Sequence, residues 1–185
     1  SISYSAVGVV GTRKCSSYGR ETAEKIGAFC AAAHRILISG GAAGIDGFAH
    51  GGACGHQGET VAVLGNGVDV VFPSSNRLLF EKIKECGALI SEFPLGSGGE
   101  AWRFPKRNRI VAALSDKLIV AEAPLKSGAM ITAKIALELG REVWAVPGRI
   151  NEAVSEGSNR LIFDGAFPYI SHGLFFDFCD KSDGQ

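Results

Sequence analysis

Trp102 to Ile110 reads WRFPKRNRI, with Arg103, Lys106, Arg107 and Arg109, the rings of Trp102 and Phe104, and no acid. A guanidinium is a planar fork that grips phosphate, and an aromatic ring offers a face to an unpaired base. Cations interleaved with aromatics therefore suit single-stranded nucleic acid, since a duplex hides its base faces. The alternative is a solvated loop whose Phe104 plugs the core. Pro105 restricts the residue before it to extended geometry, so a loop that turns the Phe104 ring outward is expected. With 19 basic and 19 acidic residues the chain has no net charge, which excludes a uniformly basic binder but leaves room for a local patch.

Further motifs could meet phosphate. VGVVGTRK sets Arg13 and Lys14 where backbone N–H groups face outward near a helix start, though a tight turn with solvated cations would look the same. Its spacing is not that of a dinucleotide fingerprint and no acid ends the next apolar run, so no cofactor is expected. In SGGAAGID, Ser39, Gly40, Gly41 and Gly44 leave backbone bare enough for an oxyanion, with Asp46 expected as a helix cap. GNGVDVVFPSSNRLLF brings Asn76 and Arg77 to a helix start, with Ser74 or Ser75 as its cap. His50, Cys54 and His56 make an incomplete ligand set, and no metal is expected. Ser91 has no evident histidine partner and no nucleophile elbow is present, so nucleophilic catalysis is not expected.

Six apolar runs, at 6–11, 36–41, 60–67, 88–94, 117–124 and 142–148, have the near-continuous hydrophobicity of strands buried on both faces. Helical spacing falls between them, as in 22–33, 76–86 and 130–139. The alternation predicts an α/β fold, doubly wound, with a mostly parallel sheet and helices on both faces. Ligands of such a sheet bind beyond the carboxyl ends of the strands, where all these motifs fall. At 185 residues, 46% of them apolar, the chain suits one globular domain over 1–171, followed by a linker or tail at 172–185. Five cysteines without a C-x-x-C pair favour reduced thiols, and no run approaches a membrane span or signal peptide. A cytoplasmic protein with no membrane role is expected.

The motifs together resemble the DNA-processing protein A (Smf) family. The likeness runs from Ala6 to about Ile170 through VGTR, SGGAAGIDGFAH, TVAVLGNGVDVVFPSSN, FPKRNRIVAALS, VAEAPLKSGAMITA, ALELGREVWAVPG and EGSNRLIFDGA. It implies an extended Rossmann-like domain that binds single-stranded DNA, forms a homodimer and helps load the RecA recombinase during natural transformation. Carried over by position, it places phosphates against Arg13, the 39–44 backbone, the FPKRNR cations and Lys126, Ser127 and Gly128, with Lys14, Asn76, Arg77 and Asn108 as further DNA-binding candidates beside them. It stacks a base on Phe104 and sets Asn159, Leu161, Ile162 and Phe163 at the dimer interface. Ser74 stands where some members have a basic residue, SGG replaces the commoner SGL, and the flanking helical and winged-helix domains of many members lie outside these 185 residues, as expected of either a fragment or a minimal member.

Two other functions compete. A nucleotide-monophosphate phosphoribohydrolase of the lysine-decarboxylase-like group shares a glycine-rich loop, but LKSGAMITAK lacks the glutamate that its glycosidic cleavage needs. A small-nucleotide sensor could use the same phosphate loops, and would saturate with a mononucleotide instead of tightening with strand length.

Overall fold

A computed structural model describes residues 5–182. Its elements run β1 (Ala6–Val10), α1 (Ser17–Ala32), β2 (Ile36–Ser39), α2 (Ile45–Gly55), β3 (Thr60–Val63), α3 (Arg77–Cys86), β4 (Gly87–Ile90), α4 (Arg103–Leu114), β5 (Lys117–Val120), α5 (Gly128–Glu138), β6 (Glu142–Ala145), α6 (Glu156–Phe163), β7 (Phe167–Pro168) and α7 (His172–Ser182). The strands pair in parallel in the order β4-β3-β2-β1-β5-β6-β7. The winding direction reverses between β1 and β5, and there the connections leaving the strands part company and open a crevice.

Both faces of the central sheet are covered, which is why its inner strands are mostly apolar. Val7, Val9, Leu37 and Ile119 meet α1, α2 and α7 on one side; Ala6, Val10, Ile38, Leu118 and Val120 meet α4, α5 and α6 on the other. Successive residues of one strand thus enter opposite cores, as a period of two requires. On the first face α1 and α2 touch backbone to backbone. A β-carbon on Gly27 would lie 2.1 Å from the Ala49 carbonyl oxygen, and one on Gly52 would lie 2.0 Å from that of Glu24. Among the described residues no helix is long and apolar enough to cross a membrane.

The structure corrects three local expectations. WRFPKRNR is not a loop: from Arg103 it forms the start of α4. A proline in the first helical turn loses no hydrogen bond, because N–H groups there have no intrahelical acceptor, so Phe104 is helical and not extended. The tail expected from His172 is α7, whose Phe175, Phe176 and Cys179 are buried in the core; residues 183–185 of that expected tail lie outside the described ones. Neither Ser74 nor Ser75 caps α3; they belong to a single 3-10 turn ending at Asn76, and no side chain caps the helix.

Candidate nucleic-acid interface

At the crevice lies a cleft of about 660 Å³ whose walls include Arg13, Lys14, Phe104, Asn108, Lys126 and Ser127. Arg13, Lys14 and Lys126 are exposed to solvent. The turn carrying the first two is held from the neighbouring strand end: Thr12 N donates to the Glu122 carbonyl at 2.7 Å, and the buried Glu122 carboxylate accepts from Ser16 N at 2.8 Å and Ser16 Oγ at 2.6 Å. Ser16 Oγ in turn accepts from Gly19 N at 3.1 Å, capping α1. Glu122 is a site residue that the motifs do not single out, although a carboxylate amid the apolar VAEAP run at a strand end is a readable signal. Opposite, Ser127 Oγ caps α5 by accepting from Met130 N at 3.4 Å, and Gly128 begins the helix at the cleft wall. The positive end of the α5 dipole therefore adds to the three cations.

The glycine loop is built differently from the open anion cradle expected at SGGAAG. The Asp46 carboxylate packs against its backbone at Gly40, while Asn76 Nδ2 donates to the carbonyls of Gly41 at 3.0 Å and Ala42 at 3.2 Å. Arg107, only 4% exposed, donates to the carbonyls of Gly40 and Val63. A β-carbon on Gly40 would come within 2.6 Å of the Asp46 carboxylate and 2.7 Å of the Arg107 guanidinium, so only glycine fits. Burial raises the Asp46 carboxyl above its ordinary range, opposed by the Arg107 charge and the loop N–H groups. Asp46 is thus a strut of the loop instead of the cap expected for α2, and Arg107 and Asn76 are struts as well.

Phe104 is half-buried. Its ring lies under the Arg13 guanidinium at 5.0 Å and beside Phe72 at 5.6 Å, and it also borders a smaller cavity of about 120 Å³ walled by Arg13, Gly41, Phe72 and Pro73. The other candidates of the basic stretch disperse. Arg103 bonds to the Gly98 carbonyl at 2.8 Å and to Glu100 at 2.9 Å; Arg109 pairs with Glu92. Lys106 is exposed, with Nζ 5.7 Å from the Phe93 ring, and Arg77 is exposed at the start of α3; neither lines the cleft. Asn108 reaches the cleft and donates to the Gly128 carbonyl at 3.3 Å, tying α4 to α5. Ser39 Oγ donates to the Val9 carbonyl at 2.6 Å inside the sheet.

Of the four interface candidates, Leu161 lies in the core at 8% exposure, because the inner face of α6 packs on the sheet. Asn159 is engaged internally, bonding both the N–H and the carbonyl of Gly148 at 3.0 Å. Ile162 packs partly against the same core, whereas Phe163 is 83% exposed. His50, Cys54 and His56 are separately engaged, with Thr60, Cys86 and the Gly52 carbonyl.

Fold and cleft define the class of protein: an extended Rossmann-like α/β domain whose open crevice stands at the topological switch point. The chain belongs to the DNA recombination-mediator protein A family, whose model matches residues 2–178. It is 44% identical to protein Smf of Synechocystis sp. over 86% of this chain and 40% of that one. The solved DNA processing protein A of Streptococcus pneumoniae superposes with a TM-score of 0.85 at 39% identity, covering 92% of this chain and 60% of that one. That of Helicobacter pylori, described for its single-stranded DNA binding mode, gives 0.90 at 29% identity, covering 97% and 81%. The chain thus spans less than two-thirds of the Synechocystis and S. pneumoniae proteins.

Proposed function

We propose that this domain binds single-stranded DNA in the switch-point cleft, with phosphates against Arg13, Lys14, Lys126 and the start of α5 and a base against Phe104. The carrying observation is the grouping of three exposed cations and a helix N-terminus around a cleft with an accessible ring in its wall. The H. pylori relative, which binds single-stranded DNA, supports it. Arg77, Lys106 and Arg109, outside the cleft, extend the path of a longer strand. Binding and not turnover is its role, since the carboxylates nearest the cleft, Asp46 and Glu122, are committed to the loop and to Ser16. In the cell the domain acts as a cytoplasmic homodimer that holds incoming strands and passes them to RecA during transformation.

Titration with labelled oligo-dT of increasing length, matched duplex and AMP tests the reading. Affinity should rise with single-strand length and exceed that for duplex, with log K falling against log salt at about −0.7 per neutralised phosphate. Arg13→Ala should flatten that slope by about 0.7, whereas Phe104→Ala should weaken binding by about 1–3 kcal/mol and leave the slope unchanged. Equal affinity for AMP and oligo-dT would make the domain a nucleotide sensor instead.

A further inference from the structure

Cys54, one residue from the end of α2, and Cys86, the last residue of α3, hold their sulfur atoms 2.8 Å apart across a separation of 32 residues in the chain. That is less than 1 Å beyond the disulfide bond length of about 2.05 Å. Both thiols are partly exposed and line an open cleft of about 590 Å³ with Glu59, Lys82 and Glu85, so a small oxidant can reach them. Cys30 and Cys179, by contrast, are fully buried. The function proposed for the switch-point cleft makes no use of Cys54 or Cys86.

We propose that Cys54 and Cys86 form an oxidation site at which a hydroperoxide joins the two thiols in a disulfide tying the end of α2 to the end of α3. One sulfur, as thiolate, attacks the terminal peroxide oxygen; the O–O bond breaks, leaving a sulfenic acid and an alkoxide that takes up the thiol proton as alcohol, or as water from hydrogen peroxide. The second sulfur attacks the sulfenic sulfur, the S–O bond breaks, and hydroxide leaves as water with the second thiol proton. Each sulfur gives up one electron and the peroxide gains two. Burial and the neighbouring Cys86 push the Cys54 thiol up to about 12, against the pull of Lys82, so it holds its proton at neutral pH. Attack through Cys54 is therefore slow and answers to oxidant load, and a reducing environment reverses the bridge.

The bridge closes a loop through β3 and so restricts the unfolded chain. It sits at the ends of α2 and α3 away from Gly44 and Asn76, so the glycine loop keeps its struts.

The full chain, reduced and freed of reductant, is treated with a modest excess of hydrogen peroxide, digested without reductant and weighed by mass spectrometry. The expected product is a Cys54–Cys86 cross-linked peptide lighter by two hydrogen atoms and split by dithiothreitol. A rise in melting temperature of about 5 °C or more should accompany it. Cys54→Ser and Cys86→Ser should each abolish both signals; if one variant fails to fold, the other and the wild-type peptide map still decide. Sulfinic acids without cross-linking, Cys54 joined to any other cysteine, or a bridge without a rise in melting temperature would overturn the proposal.

Discussion

Arg107 and His50 show how burial reassigns residues whose types alone point to a surface role. Arg107 belongs by sequence to the cationic stretch, yet it lies beneath the glycine loop among Asp46 and the carbonyls of Gly40 and Val63. Removing it strands a buried carboxylate and two carbonyls, so Arg107→Ala should cost about 3–5 kcal/mol in urea unfolding. The salt slope of its folded fraction should be unchanged, unlike that of Arg13→Ala. His50 lies fully buried with Nδ1 2.7 Å from Thr60 Oγ1. Thr60 donates its one proton to the Leu37 carbonyl, so Nδ1 must be the donor, and the bare Nε2 has no partner among the described residues. Burial, helped by the Arg107 charge, holds the imidazole down to about 3. A base whose folded value lies below the unfolded one of about 6.5 contributes stability that is complete above pH 6.5 and is lost as pH falls toward 3. Stability measured against pH should therefore fall more steeply below pH 6.5 in the wild type than in His50→Leu, by up to about 1.4 kcal/mol per unit. Parallel curves would mean that the wild-type ring is charged in the fold.

Elements were legible in proportion to how little their local sequence competes with their burial. The first six strands announce themselves because cover on both faces removes any alternation with polar residues, whereas the two-residue β7 is too short to carry a pattern. α4 was hidden by its proline and its cations: one reads as a breaker, the others as a loop, although only the first turn contains the proline. α7 lacks strong periodicity over its whole length, yet Phe175, Phe176 and Cys179 stand at the spacing of one buried helix face. Phe175 meets the rings of Trp144 at 5.0 Å, Tyr169 at 5.3 Å and Phe176 at 4.9 Å with no solvent exposure. Phe175→Ala should accordingly cost about 3–5 kcal/mol of folding stability, read by urea unfolding. A terminal helix that merely frayed beside the core would lose almost nothing.

At the scale of the whole molecule, zero net charge conceals a polar arrangement: Arg13, Lys14 and Lys126 gather at one sheet edge because parallel strands deliver their connections there. That gathering could be foreseen from order alone, since each motif follows a strand. Which motif faces outward could not, because the turning inward of Arg107 depends on a contact with Gly40, 67 residues away in the chain. The same limit applies to self-association, where helix periodicity alone did not separate Leu161 from Phe163. A twofold interface needs a self-complementary patch on the outside. The residue of α6 that qualifies is Phe163, 83% exposed beside the Arg160 guanidinium at 5.6 Å, with Phe167 and Ile170 also exposed. Phe163→Arg should therefore yield monomers with an unchanged melting temperature, because little of the ring touches its own core. Ile162→Arg should instead lower the melting temperature, since Ile162 packs against that core. Sedimentation equilibrium at tens of micromolar, about the range in which weak assemblies form, reads the first effect and a thermal melt the second. A wild-type chain that sediments as a monomer there would remove the dimer, and a destabilised Phe163→Arg would place that ring within the fold and not between two copies of it.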